Sequence, residues 1–112
     1  MFKVKRVYEL AGPEDGARVL VDRLWPRGVS KEKARIDLWL KDIAPSDALR
    51  NWFGHKEERW EEFKKKYRKE LEGKKELVGR LKTIKEKGTI TLLFAAKNIE
   101  RNNAIVLRDI LR

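Results

Sequence analysis

Apolar residues fall along this chain in patterns that separate strands from helices. Val19 to Val21 and the stretch "TITLLFA" from Thr89 to Ala95 are continuously apolar or nearly so. Such runs suit strands covered on both faces, which places both at the centre of a sheet. "KVKRVYEL", Lys3 to Leu10, sets Val4, Val7 and Tyr8 among charged residues and reads as a first strand. The turn chemistry of "AGPEDG", Ala11 to Gly16, follows it. Trp60, Phe63, Tyr67 and Leu71 then recur at helical spacing and predict one buried face of a helix over Lys56 to Leu71. Gly73 separates it from a second helix bearing Leu77, Leu81 and Ile84 and closed by Gly88. A last helix carries Ala104, Ile105, Leu107, Ile110 and Leu111.

Shorter elements lie between. Pro45 stops what precedes it, Ser46 is a good N-cap for the helix "DALRNWF", and Gly54 ends that helix. Ser30 is expected to cap a short helix through Arg35. "IDLWLKDIAPS" fits two periods: Ile36, Leu38 and Leu40 alternate, while Ile36, Trp39, Leu40 and Ile43 match a helix, and the strand is favoured. Strands separated by helical segments imply crossovers. The expected fold is a single layered α/β domain over residues 1–112, with a small, largely parallel sheet flanked by helices.

Ligands of such sheets bind beyond the carboxyl ends of the strands. The loops after Val21 and after Phe94 hold most of the unusual polar residues, and "RVLVDRLWPRG" places Asp22, Arg23, Trp25 and Arg27 directly beyond a buried strand. Loops Asp22 to Gly28 and Ala96 to Asn103 are therefore expected to face each other across one cleft, with Arg27 and Lys97 directed into it. Asp22 is expected near Arg23 or Arg27, because a carboxylate at a strand end is costly to bury unpaired.

Composition narrows the chemistry. The chain has no cysteine and a single histidine, His55, which excludes disulfides and thiolate sites and leaves little for a histidine metal centre. No signal-like stretch and no apolar run of bilayer length is present, so a cytoplasmic protein without membrane contact is expected. The net charge of +10 makes nucleic acid a partner to consider, yet the excess is spread along the chain without a basic tail. Absence of glutamine beside abundant lysine and glutamate also fits a thermophile.

Each candidate has a structural reading beside its functional one. Asp22, Arg23, Arg27 and Lys97 form either a site for an anionic ligand, with Arg27 presenting a planar fork, or a buried Asp22 to Arg23 pair that fixes the loop. The site is favoured, because a pair does not account for Arg27 and Lys97. Backbone N–H groups near Asn98 to Asn102 would add to an anion-favouring field. Trp25 either stacks on a ring or covers core, and Trp39, Trp52 and Trp60 read as core. His55 reads as a capping or surface residue rather than a catalytic one. "KKKYRKEL" from Lys64 reads as a solvated helix face with pairs such as Glu61 with Lys65, ahead of a phosphate-tracking one. No glycine-rich phosphate loop, metal-spaced carboxylate pair or serine elbow occurs, so no cofactor and no metal is expected.

The order of "RVLVDRLWPRGVSK", "WLKDIAPSDALRNWF", Trp60 through Leu71, and "TLLFAAKN" with Asn102 and Ala104 beyond it resembles the domain-of-unknown-function 488 family, in its short bacterial and archaeal branch. That resemblance covers nearly the whole chain and implies a fold and a polar site, but no established reaction. It carries over to Asp22, Arg23, Trp25, Pro26, Arg27 and Gly28, to Lys41, Asp42, Pro45 and Ser46, and to Lys97, Asn98, Asn102 and Ala104. Relatives place a histidine near the last motif. Arg101, Asn102 and Asn103 stand here instead, which puts histidine-dependent acid-base chemistry in doubt.

The expectation from these residues is a pocket at the strand ends for a small anionic or nucleotide-like molecule. Trp25, Arg27, Lys41, Lys97, Asn98 and Asn102 are its candidate binding residues. Asp22, as general base, and Arg23, with Arg27 and Lys97 stabilising negative charge, are the candidates for any catalysis. A nucleic-acid-binding accessory protein is the alternative, an interaction module without a ligand the third reading, and the oligomeric state is left open.

Overall fold

The two apolar runs pair side by side and form the middle of the sheet. In the computed structural model, which describes residues 2–112, β1 (Phe2–Arg6), β2 (Ala17–Leu20), β3 (Leu38–Trp39) and β4 (Ile90–Phe94) lie in the order β1-β4-β2-β3. All three pairings are parallel, and Leu92 sits level with Val4 on one side and Val19 on the other. The fold is thus α/β, built on a small parallel sheet. Every residue of β4 is buried, as an inner strand covered on both faces requires.

Alternation along the strands divides the apolar residues between two layers. Val19, Val21, Ile90, Leu92 and Phe94 join the larger core. There they meet α1 (Asp47–Phe53), α2 (Trp60–Glu72), α3 (Lys75–Glu86) and α4 (Asn103–Leu111). The expected stripe of α2 is buried in full, with Phe63 stacked on Phe53 at 4.3 Å between ring centroids and flanked by Trp60 and Tyr67. Leu20 and Leu93 instead join Val7 and Ile36 in a smaller cluster, against which Trp25, Val29, Ala34 and Trp39 pack. One layer of the sheet is therefore covered by helices and the other by the irregular segment between β2 and β3.

That segment departs from the expected helical crossovers. Residues 31–35 form successive turns, not a helix; Ser30 accepts the Lys33 N–H at 3.3 Å, and Arg35 breaks the run with φ of 51°. No helix connects the first three strands, because a parallel crossover needs only about a dozen residues and here loops supply them. β1 ends at Arg6 instead of Leu10, and Glu9 folds back to accept the Arg6 N–H at 2.8 Å. The ambiguous stretch after Ile36 is strand only at Leu38–Trp39, then a 3-10 turn over Lys41–Ile43. Likewise the predicted start of the long helix at Lys56 is a 3-10 turn over Glu57–Arg59 ahead of α2. On α2 the close ion pair is Glu61 with Lys64 at 3.1 Å, one position nearer than expected.

Local signals at α1 behave as read. Ser46 Oγ accepts the Leu49 N–H at 3.1 Å, and Gly54 ends the helix in the left-handed region at φ 51°. Gly16 serves the close approach of the turn before β2 to β4: at φ 63°, a Cβ there would lie 2.0 Å from the Thr89 carbonyl oxygen. Trp60 is core, whereas Trp39 and Trp52 are only half-buried against it. Among the described residues no helix is long and apolar enough to cross a membrane.

Candidate functional site

Since all four strands are parallel, their carboxyl ends share one edge, and the chain leaves β2 and β4 there side by side. A cleft of about 690 Å³ opens at that edge, lined both by Asp22 to Arg27 and, from the second loop, by Ala95 to Asn98 and Arg101 to Asn103. This is the shared cleft expected from the sequence. Arg27 and Lys97 both line it, together with Arg23, Arg50 and Arg101, against a single carboxylate, Asp22. Its apolar walls include Phe53, Phe63, Ala44 and Pro45, so the aromatic stack beneath α1 and α2 is also the wall of the cleft.

Asp22 is not paired with Arg23 or Arg27, contrary to expectation. Its Oδ2 accepts the Ala95 N–H at 2.9 Å, its Oδ1 accepts Asn103 Nδ2 at 3.1 Å, and the same amide also donates to the Val21 carbonyl at 3.1 Å. The Asp22 carbonyl in turn accepts the Trp39 indole N–H at 2.7 Å. These neutral donors satisfy the carboxylate where β2, β4 and α4 meet, so no cation is needed to place it. Burial pushes its pKa up from the ordinary carboxylate value. The Ala95 and Asn103 hydrogen bonds, and the charges of His55 and Arg50, oppose that rise without cancelling it.

Arg23 lines the cleft, but its guanidinium is committed to the segment ahead of α1. Its guanidinium donates to the carbonyls of Pro45 at 3.2 Å and Ala44 at 3.3 Å, with Asp47 at 3.8 Å and Asp42 at 4.0 Å. It thus holds the segment ahead of α1 against the β2 loop. Trp25 is also partly engaged: its N–H donates to the Val29 carbonyl at 2.9 Å, and its ring meets Trp39 edge-on at 5.3 Å.

Asn98 and Asn102 shape the second loop with their side chains. Asn98 Oδ1 accepts the N–H groups of Glu100 and Arg101, and its Nδ2 donates to Glu57 at 3.2 Å. Buried Asn102 caps α4, accepting the Ile105 N–H at 3.0 Å while its Nδ2 donates to the Asn98 carbonyl at 2.9 Å. Lys41 does not line the cleft; its ammonium lies over the Trp39 ring at 5.6 Å.

Several lining residues were outside the sequence candidates. Arg50 and His55 arrive from α1 and the turn after it, and Arg101 and Asn103 from the mouth of α4. The last two carried a signal, since the family resemblance implies a histidine near that motif; Arg50 carried none. Arg50 is held by Asp47 at 3.2 Å and Arg101 by Glu57 at 3.5 Å. Among the described residues no carboxylate pairs with Arg27 or Lys97, both exposed at the cleft.

Fold and site together define a small α/β protein with a cationic cleft at the carboxyl edge of a parallel sheet. The chain belongs to the family described as "Inactive DUF488-N3 subclade", whose model matches residues 1–112. It is 41% identical over 109 residues to an uncharacterised protein of Mycobacterium tuberculosis, covering 97% of this chain and 92% of that one. It is 44% identical over 108 residues to the uncharacterised Escherichia coli protein YeaO, covering 96% and 94%. No solved structure matches the chain.

Proposed function

We propose that the protein binds a small anionic, nucleotide-like molecule in this cleft and does not turn it over. The observation that carries this reading is that Arg27 and Lys97 line one cleft with no carboxylate of the described residues to neutralise them. Exposed cations are normally screened, but a concave wall with several cations against one carboxylate concentrates a net positive field on a bound anion. Arg27 supplies a planar fork and Lys97 a compact charge, a combination suited to phosphate. The cleft volume lies within the roughly 300–1,000 Å³ of small-molecule sites.

Binding without turnover accords with a subclade described as inactive. It also accords with an Asp22 whose two oxygens are both held by the protein, and with an Arg23 committed to backbone carbonyls. Thermal unfolding followed with inorganic phosphate, AMP and GMP tests the reading. A ligand at a hundredfold its Kd should stabilise the fold by about 2.7 kcal/mol. Arg27→Ala and Lys97→Ala should keep the parent midpoint and lose most of that gain. No shift with any of the three, or variants that bind as the parent does, would count against it. A single-stranded oligonucleotide that competes for the cleft with a steep dependence on salt would favour nucleic acid instead.

We also propose that the protein works in the cytoplasm of a thermophile, a reading that rests on composition: it lacks glutamine and cysteine, and 41% of its residues are charged. A melting midpoint above about 65 °C is expected, and one inside the mesophile range of roughly 45–65 °C would contradict it.

A further inference from the structure

The one acid in a cleft otherwise lined by cations is out of place if its ligand is only an anion. Asp22 would repel a phosphate, and its burial raises the cost of keeping it charged there. A carboxylate offers about four acceptor positions, and the protein fills two, one on each oxygen. Asp22 lines the cleft together with apolar groups of Phe53, Phe63, Ala44 and Pro45. A cleft that combines apolar lining, one carboxylate with acceptor capacity left and cations without a carboxylate partner suits a ligand with three parts. It has a flat body, an edge bearing hydrogen-bond donors, and an anionic tail.

Resting on the reading that the cleft takes a nucleotide-like anion, we propose that its ligand class is the guanine nucleotides. The base edge donates N1–H and the exocyclic N2–H to the Asp22 carboxylate, and the phosphate meets Arg27 and Lys97. The other bases fit this edge less well. Adenine and cytosine each present a ring nitrogen acceptor beside their amino donor, which would set a lone pair against a carboxylate oxygen. Uracil and thymine present one N–H between two carbonyls. Guanine alone of the common bases carries two adjacent donors that match the two oxygens of a carboxylate. Each Asp22 oxygen already holds one hydrogen bond from the protein, so discrimination comes from the two added donors of guanine and from the lone pair that adenine or cytosine would set against the carboxylate.

Isothermal titration of the parent protein with GMP, IMP, AMP and inorganic phosphate, repeated on Asp22→Asn, tests the assignment. GMP is expected to bind at least tenfold more tightly than AMP, with IMP, which lacks the exocyclic amine, between them. Asp22→Asn should weaken GMP by tenfold or more while leaving AMP and phosphate unchanged or bound more tightly, since it removes a negative charge from the cleft. A merely structural Asp22 would move all four ligands in one direction, and that result overturns the proposal. Equal affinity of the parent for GMP and AMP also overturns it while leaving the anion-binding reading intact. Failure of all four ligands to bind overturns both. Should Asp22→Asn not fold, the order of GMP, IMP and AMP on the parent decides alone.

Discussion

Replacing Arg18 with alanine is expected to cost about 3–5 kcal/mol of folding stability, the range for breaking a buried ion pair by removing one partner. Arg18 lies on inner strand β2 and is only 1% exposed, as is Asp15, whose Oδ2 it contacts at 2.7 Å. The same guanidinium donates to the carbonyls of Ala34 at 3.0 Å and Glu9 at 3.4 Å, so it ties both strand-connecting loops to the sheet. Asp15 also accepts from Lys5, 2.9 Å away at the nearer oxygen, and from the Gly12 N–H at 3.0 Å. Alanine would leave that carboxylate buried with only two partly exposed lysines, Lys5 at 2.9 Å and Lys3 at 3.9 Å, and would strand two loop carbonyls. Urea unfolding measures the cost, and a loss under about 1 kcal/mol would show that the pair does not hold the loops. A double replacement, Asp15→Leu with Arg18→Met, should be less damaging than the single one, because no charge is then left uncompensated.

The same cluster predicts a pH response. Burial on its own would raise the Asp15 pKa, but hydrogen bonds from Gly12, Lys5 and Arg18 outweigh burial and bring it from 3.8 to about 2. A carboxyl depressed in the folded state contributes stability that is complete above its unfolded value and is lost as pH falls through the folded one. The contribution should therefore be full above about pH 4 and gone below about pH 2, and Arg18→Ala should flatten the decline in that window. Asp22, displaced upward, has the opposite sign: its ionisation costs stability as pH rises past the ordinary carboxylate range, and acid relieves that cost.

Trp60→Ala is expected to cost about 3–5 kcal/mol as well, through a cavity in the main core. Its ring stacks on Phe63 at 5.7 Å and lies 6.0 Å from Phe53, the two rings that wall the cleft. The loss should appear first in unfolding and only then in ligand binding, as the wall loosens. Trp60→Phe, which keeps a ring in the stack, should cost clearly less. A loss below about 1 kcal/mol for the alanine variant would mean that this face of α2 carries little of the core.

Periodicity and caps are local properties of a chain, and the strongest of these signals were decided by the sequence itself, although the helix expected after Ser30 is a run of turns. The two apolar runs are the inner strands; the stripe from Trp60 to Leu71 is buried; Ser46 and Gly54 bound α1. The meeting of the two strand-end loops was legible as well, because parallel neighbours must present their carboxyl ends together. Pairing of polar groups is a different matter, since burial and proximity between distant segments settle it. Asp22 finds its donors at Ala95 and Asn103, across the sheet, and has no need of the neighbouring arginines. Arg18 stood outside the sequence candidates, yet its pairing with Asp15 in the preceding turn makes it part of the core. Arg50 enters the cleft and Lys41 stays outside it because α1 and the preceding turn dock in one particular way. No local pattern encodes these outcomes. Each depends on which desolvated group lies nearest in space, and only the packed tertiary structure decides that.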